Sequence, residues 1–175
     1  DKTGTVTTGR PTVTAVLAAP GFDETEVFRL AAGLEVGSEH PLAQAILNAA
    51  RERGMTLPAV ERFAAIAGHG ATGVVEGRAL LAGNHRLLEE QGIDAAPLRA
   101  EAERLAAQGQ TPVFVAVDGQ PAGILAIADP LKPDSAAAIA RLRKLGLWVV
   151  LLTGDHAATA RTIAEQVGIE TVLAE

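Results

Sequence analysis

The sequence predicts an α/β domain that is interrupted by a larger α+β domain, in which helices flank an antiparallel sheet. Short runs of apolar and β-branched residues, several of them separated by glycine turns, predict the antiparallel sheet. After Asp129, helix and strand patterns alternate, which is typical of a parallel sheet. We therefore assign residues 1–8 and 126–175 to the interrupted α/β domain and residues 9–125 to the inserted domain.

The elements of the inserted domain follow from periodicity and from turn residues. Apolar residues three and four apart predict its helices, and Pro41 suits the first turn of one of them. Asp118-Gly119 lies between two apolar runs and favours a hairpin. The predicted strands are 12–18, 62–67, 71–76, 78–82, 111–117 and 121–128, and the predicted helices are 26–33, 41–54, 85–91 and 98–108.

The α/β domain is predicted to contain a helix that ends at Leu145, a strand over 147–152, a helix over 157–167 and a strand from Thr171. The apolar run over 147–152 is continuous, which indicates a strand buried on both faces. We therefore expect Trp148 to belong to the core.

Composition excludes several classes of protein. There is no cysteine, which rules out disulfides and thiolate metal sites. The net charge of −6 disfavours a nucleic-acid partner. No apolar run approaches the roughly 18 residues of a membrane span, so we expect no membrane insertion of this segment.

The first five residues, Asp-Lys-Thr-Gly-Thr, combine groups that suit phosphoryl chemistry. A positioned carboxylate can attack a phosphoryl group and form a covalent intermediate. Lys2 brings positive charge, the hydroxyl of Thr3 can donate to phosphate oxygens, and Gly4 permits a tight turn. A solvated turn would explain the same composition.

This stretch resembles the phosphorylation motif of the P-type ATPases, in which the aspartate accepts the terminal phosphate of ATP. Thr153-Gly154-Asp155 resembles a second motif of that family, and residues 38–42 (Ser-Glu-His-Pro-Leu) resemble the signature of its heavy-metal-transporting branch. The resemblance implies that the α/β domain is a haloacid-dehalogenase-like phosphorylation domain, incomplete here, and that the inserted α+β domain binds nucleotide. It implies catalytic roles for Asp1, Lys2, Thr3, Thr153, Gly154 and Asp155.

The same resemblance implies an ATP site on the inserted domain. In the family a histidine orients the adenine and a glutamate five residues earlier contacts the base, which corresponds here to His40 and Glu35. Residues 68–73 have the spacing of a dinucleotide-binding fingerprint but lie between two predicted strands, so we expect these glycines to let the backbone approach a nucleotide closely. The full set implied is Glu35, His40, Gly68, Gly70, Gly83 and Asn84. As an isolated feature, Asn84 would be a helix cap.

The family further implies ATP and Mg²⁺ as cofactors, with Asp1 one of the groups at the Mg²⁺ site. It implies actuator and transmembrane domains as partners, and a place on the cytoplasmic side of the cell inner membrane in a heavy-metal exporter, closest in pattern to copper exporters. The lysine and the Gly-Asp-Gly-x-Asn-Asp loop that follow in the family are absent from these 175 residues. We therefore expect the isolated chain to bind nucleotide but to hydrolyse it poorly or not at all.

Two alternatives remain at this point. One is a haloacid-dehalogenase-type phosphatase, although such enzymes place a second aspartate two residues after the first, where this chain has Thr3. The other is a nucleotide-binding module without chemistry.

Overall fold

The structure is a computed structural model, and it describes residues 1–154 and 157–174. The chain divides into two compact units. The first unit comprises Asp1–Pro11, Glu103–Thr111 and the chain from Ala128 onward, and the second comprises Thr12–Ala102 and Pro112–Ile127. These units differ from the expected domains mainly at residues 103–111, which belong to the first unit here and to the inserted domain in the expectation. The expected domain boundaries stay a prediction.

The second unit is built on a six-stranded sheet with the order β1-β6-β5-β4-β3-β2. The pairs β2–β3, β3–β4 and β4–β5 are antiparallel. The strands are β1 (Thr12–Ala18), β2 (Val60–Ile66), β3 (Gly70–Val75), β4 (Arg78–Gly83), β5 (Thr111–Val117) and β6 (Gln120–Ala128). The helices are α1 (Glu24–Glu35), α2 (Pro41–Glu52), α3 (His85–Glu90) and α4 (Ala96–Ala107), whose last turn belongs to the first unit.

Turn chemistry explains the two tight hairpins of this sheet. Glu76 and Gly77 have φ of 52° and 75°, and Asp118 and Gly119 have φ of 51° and 78°. Two consecutive residues at positive φ form a type I′ turn, whose twist matches that of the paired strands. The core of the unit is formed by apolar side chains of α1 and α2 together with side chains of the sheet, and its largest fully buried members include Phe28, Leu30, Leu34, Ile46 and Leu125.

The first unit contains a β–α–β segment. Strands β7 (Val150–Thr153) and β8 (Thr171–Ala174) are parallel, and α6 (Ala157–Val167) connects them. Helix α5 (Ser135–Lys144) precedes β7. Leu151 packs in a cluster with Ile139 of α5, with Ile163, Ala164 and Val167 of α6, and with Val6 and Ile169. The predicted fold class, an antiparallel sheet with flanking helices and a partial α/β domain, is confirmed.

The prediction of a doubly buried strand over 147–152 is wrong. Strand β7 begins at Val150, and the exposed fractions of Trp148 and Leu152 are 81% and 61%. Side chains alternate between the two faces of a strand, and here the cluster around Leu151 covers only one of them. Trp148 is therefore not a core residue. The prediction was wrong because a continuous apolar run indicates hydrophobicity but does not show which face of the strand is covered by other residues.

The helices of the two described ranges are short. The longest span 12 residues each. None of the helices within residues 1–154 and 157–174 is long and apolar enough to cross a membrane.

Candidate functional site

The residues that follow Asp1 form a tight loop, which we call the acceptor loop (residues 1–7). Thr3 has φ −70° and ψ 122°, and Gly4 has φ 76° and ψ −9°. These angles are those of a type II turn, whose third position needs positive φ and therefore favours glycine. The backbone N–H of Thr7 closes the loop by donating to the carbonyl of Lys2 over 3.0 Å.

Side chains from a distant segment hold this loop. The hydroxyl of Thr7, which is fully buried, donates to Oδ2 of Asp129 over 2.5 Å and accepts from the backbone N–H of Gly4 over 3.3 Å. The ammonium of Lys132 donates to the carbonyl oxygen of Gly4 over 2.6 Å. Both backbone polar groups of Gly4 are thus bound, one through Thr7 and one by Lys132.

Asp129 joins the two segments further. Its Oδ1 accepts from the hydroxyl of Thr8 and from the backbone N–H of Arg10, each over 3.1 Å. The sequence analysis marked Asp129 only as the point where the pattern of helices and strands changes, and it did not single out Thr7 or Lys132. The only local signal was the Asp-Pro-Leu-Lys-Pro segment, and it does not reveal a partner 122 residues away.

The predicted catalytic residues divide into three groups. Asp1, Thr153 and Gly154 line one open cleft of about 320 Å³, together with Leu152, Leu173 and Ala174. This cleft lies at the carboxyl end of β7, where α/β proteins bind ligands. Thr3 is exposed, whereas Lys2 is only 5% exposed and its side chain packs inside the unit. Asp155 lies outside the described residues.

Two predicted nucleotide residues flank the start of α2. Glu35 ends α1 and is 7% exposed, and this burial raises the pKa of its carboxyl group, although a hydrogen bond with Ser38 opposes the shift. His40 is exposed and caps α2, because its Nδ1 accepts from the backbone N–H of Leu42 over 3.2 Å. That bond leaves Nδ1 unprotonated, so Nε2 carries the ring N–H in the neutral imidazole.

The glycine turn (residues 67–70) joins β2 to β3, and its glycines have different surroundings. Gly68 has φ 72°, and nothing lies within 4 Å of the place a Cβ would occupy. A Cβ on Gly70 would lie 2.1 Å from the carbonyl oxygen of Ala82, and one on Gly83 would lie 2.2 Å from that of His69. At Gly70 and Gly83 the close approach is therefore made by the chain's own backbone, and only Gly68 leaves the open space we expected for a ligand.

Asn84 and His69 complete the surroundings of the glycine turn. Asn84 caps α3, since its Oδ1 accepts from the N–H of Leu87 over 3.0 Å, and its Nδ2 donates to the carbonyl of Gly68 over 3.0 Å. The imidazole of His69 is half-buried, with Nδ1 2.8 Å from the carbonyl oxygen of Ala67.

The described residues do not fit a metal site. Within residues 1–154 and 157–174, no three histidine, aspartate or glutamate side chains are grouped so that they could hold a metal ion. A magnesium ion needs oxygen ligands in near-octahedral geometry. The carboxylate of Asp1 does not form such a site with its described neighbours.

Comparison with known proteins places the chain in a family. All of residues 1–175 match the family model of the haloacid dehalogenase-like hydrolases. The whole chain is 46% identical to Copper-transporting ATPase 2 of Rhizobium meliloti (strain 1021) over 21% of that protein. It is 48% identical to the probable copper-exporting P-type ATPase V of Mycobacterium tuberculosis over 23% of that protein. The chain therefore spans about a fifth of the length of these relatives.

Solved structures agree with the sequence relatives. A zinc-transporting PIB-type ATPase crystallised in its E2.Pi state matches 99% of the chain over 28% of its own, with 37% identity and a TM-score of 0.72. The N-domain of a copper-transporting P-type ATPase matches 67% of the chain over 98% of its own, with 29% identity and a TM-score of 0.57. These matches confirm the resemblance to the heavy-metal P-type ATPases, and the chain belongs to the haloacid dehalogenase-like hydrolase family.

Proposed function

We propose that this chain is the ATP-binding and phosphorylation region of a heavy-metal-exporting P-type ATPase. The observation that carries the proposal is the cleft shared by Asp1, Thr153 and Gly154, because these residues come from the two family motifs that surround the phosphoryl group. The names of the relatives, which are copper-transporting and copper-exporting ATPases, support copper as the cargo.

ATP is proposed to bind the second unit. The buried carboxyl group of Glu35 and the outward Nε2 of His40 offer an acceptor and a donor to the edge of an adenine ring. The open space beside Gly68 lets a ligand reach the backbone. Gly70, Gly83 and Asn84 belong to the proposed site as the residues that shape this turn.

The reaction follows from the position of Asp1. A carboxylate oxygen of Asp1 attacks the γ-phosphorus of ATP, an O–P bond forms, the bond to the β-phosphate oxygen breaks, and ADP leaves. The hydroxyl groups of Thr3 and Thr153 can donate to the oxygens on which negative charge accumulates. Lys2 contributes positive charge from within the loop. Magnesium is the ion that phosphoryl transfer of this kind employs.

The parent protein is proposed to couple this chemistry to transport. The aspartyl phosphate would switch transmembrane domains between two orientations, with an actuator domain as a further partner, on the cytoplasmic side of the cell inner membrane. The chain spans only part of its relatives, so export activity belongs to the longer protein rather than to these residues.

Calorimetric titration of the 175-residue chain with ATP, ADP and AMP tests the proposal. We expect saturable binding that weakens about tenfold, or 1.4 kcal/mol, in His40→Ala. His40→Asn is the matched variant, because asparagine keeps the cap on α2 but removes the imidazole. Weakening in both variants supports a nucleotide contact through the ring. Full binding by His40→Asn, or no binding by folded wild-type chain, would contradict the proposal.

A further inference from the structure

The glycine turn is held from one side by the residue that precedes α3. Asn84 donates its side-chain N–H to the carbonyl of Gly68 over 3.0 Å and its backbone N–H to the carbonyl of His69 over 2.8 Å. Two consecutive carbonyl groups of the turn are therefore bound by one residue that lies 16 positions beyond Gly68 along the chain.

Asn84 is also committed to its own helix. Its Oδ1 accepts from the N–H of Leu87 over 3.0 Å, which is the usual role of asparagine at a helix N-terminus. The side-chain oxygen, the side-chain amide and the backbone N–H of Asn84 thus each have a partner within the chain. Asn84 is arranged to fix the neighbouring backbone, and its side-chain oxygen is not turned outward toward a ligand.

The turn needs such support because of its glycines. Gly68 and Gly70 adopt φ of 72° and 146°, and glycine loses more conformational freedom on ordering than any other residue. A turn that sampled many conformations would have to be ordered by the nucleotide, which would weaken binding. Contacts that hold the turn before the ligand arrives remove that cost.

His69 supplies a second contact to the same turn. One ring nitrogen, Nδ1, lies 2.8 Å from the carbonyl oxygen of Ala67, and the other, Nε2, lies 3.8 Å from Oε1 of Glu90 in α3. Glu90 also accepts from Nε of Arg86 over 2.9 Å. The ring therefore contacts the first residue of the glycine turn, whereas its distance to Glu90 is longer than a hydrogen bond.

We propose that Asn84 is a positioning residue for nucleotide binding, which acts by holding the glycine turn and makes no contact with the nucleotide. The inference deepens the proposed function and rests on it. The ligand reaches the backbone at Gly68, where nothing lies within 4 Å of the position that a Cβ would take.

The variant Asn84→Ser separates the two roles of Asn84. Serine caps a helix about as well as asparagine and adds no charge, but it lacks the amide N–H that binds the carbonyl of Gly68. We expect α3 and the melting temperature to be retained, hydrogen exchange at residues 67–70 to rise without nucleotide, and ATP binding to weaken about tenfold. The control is Asn48→Ser on α2, an exposed asparagine, for which we expect neither change.

A double-mutant cycle with Gly68→Ala distinguishes positioning from direct contact. Alanine at φ 72° distorts the turn itself. If Asn84 acts only by holding the turn, Asn84→Ser should cause little further change in the ATP Kd once Gly68→Ala is present. The effects of the two substitutions on the ATP Kd should therefore not add. Additive effects, or weaker binding with unchanged hydrogen exchange, would mean that Asn84 contacts the nucleotide and would overturn the inference. Raised exchange with unchanged Kd would overturn it too. Absence of ATP binding by the wild-type chain would instead refute the proposed function.

Discussion

The acceptor loop and the glycine turn both depend on glycine at positive φ, but for different physical reasons. At Gly4 nothing lies within 4 Å of a Cβ, so the residue is needed for its backbone conformation. At Gly70 a Cβ would collide with the carbonyl oxygen of Ala82 in the neighbouring strand. The surroundings of each glycine therefore decide why it is needed, because the same residue type meets a conformational requirement at Gly4 and a steric one at Gly70.

The two regions also differ in the groups that hold them. Charged groups hold the acceptor loop, with the carboxylate of Asp129 bound to Thr7 and the ammonium of Lys132 bound to Gly4. A neutral amide holds the glycine turn through Asn84. Hydrogen bonds to ionised groups are shorter and stronger than neutral ones. The loop that carries the proposed phosphate acceptor therefore has the firmer support.

The largest expected effect separates the two glycines. Gly70→Ala should destabilise the chain by about 3 kcal/mol, because two strand backbones would have to move apart. Gly4→Ala should cost about 1–2 kcal/mol, the strain of a left-handed conformation alone. Urea unfolding followed by circular dichroism measures both, and Gly21→Ala, at another open turn with positive φ, is the matched control for Gly4→Ala. Equal losses of unfolding free energy in Gly70→Ala and Gly4→Ala would contradict the distinction between a steric collision at Gly70 and backbone strain at Gly4.

A smaller effect is expected from the support of the acceptor loop. In Thr7→Val, the valine side chain has nearly the same shape as threonine but lacks the hydroxyl that binds Asp129 and the N–H of Gly4. This loss should lower the unfolding free energy by about 2 kcal/mol. Thr7→Ser keeps the hydroxyl and should recover most of that loss. If serine and valine are equally destabilising, then packing of the methyl group, and not the hydrogen bond to Asp129, stabilises the loop.

The smallest effect concerns pH and the buried carboxyl group of Glu35. Burial raises its pKa in the folded chain above the ordinary value of 4.5, so the folded state holds its proton to higher pH than the unfolded state. Stability from this group is therefore present below pH 4.5 and is lost as the pH rises through the folded pKa, with a slope of at most about 1.4 kcal/mol per pH unit.

Glu35→Gln tests this sign, because glutamine does not titrate. The unfolding free energy of wild type relative to Glu35→Gln should fall as the pH is raised above 4.5. A wild-type chain that gained stability over this range relative to Glu35→Gln would show that hydrogen bonding to the carboxylate outweighs its burial.

Local chemistry was enough to predict most of the elements. Asp118-Gly119 predicted a hairpin and the structure has one, since the turn depends on the φ preferences of two residues. Pro41 does start α2, because proline at the first helical position loses no hydrogen bond. The prediction of a buried strand over 147–152 was wrong because the burial of Trp148 depends on which other residues cover it, and no local sequence pattern shows that.

The sequence by itself determined the fold class, the turns, the helix starts and the motifs that identify the family, since each depends on residues close together in the chain. Only the tertiary structure decided what holds the two candidate sites. Thr7 meets Asp129 across 122 positions, and Lys132 meets Gly4 across 128. Such pairs form only after the strands and helices have packed, because packing, and not spacing along the chain, sets which polar groups come within hydrogen-bond distance.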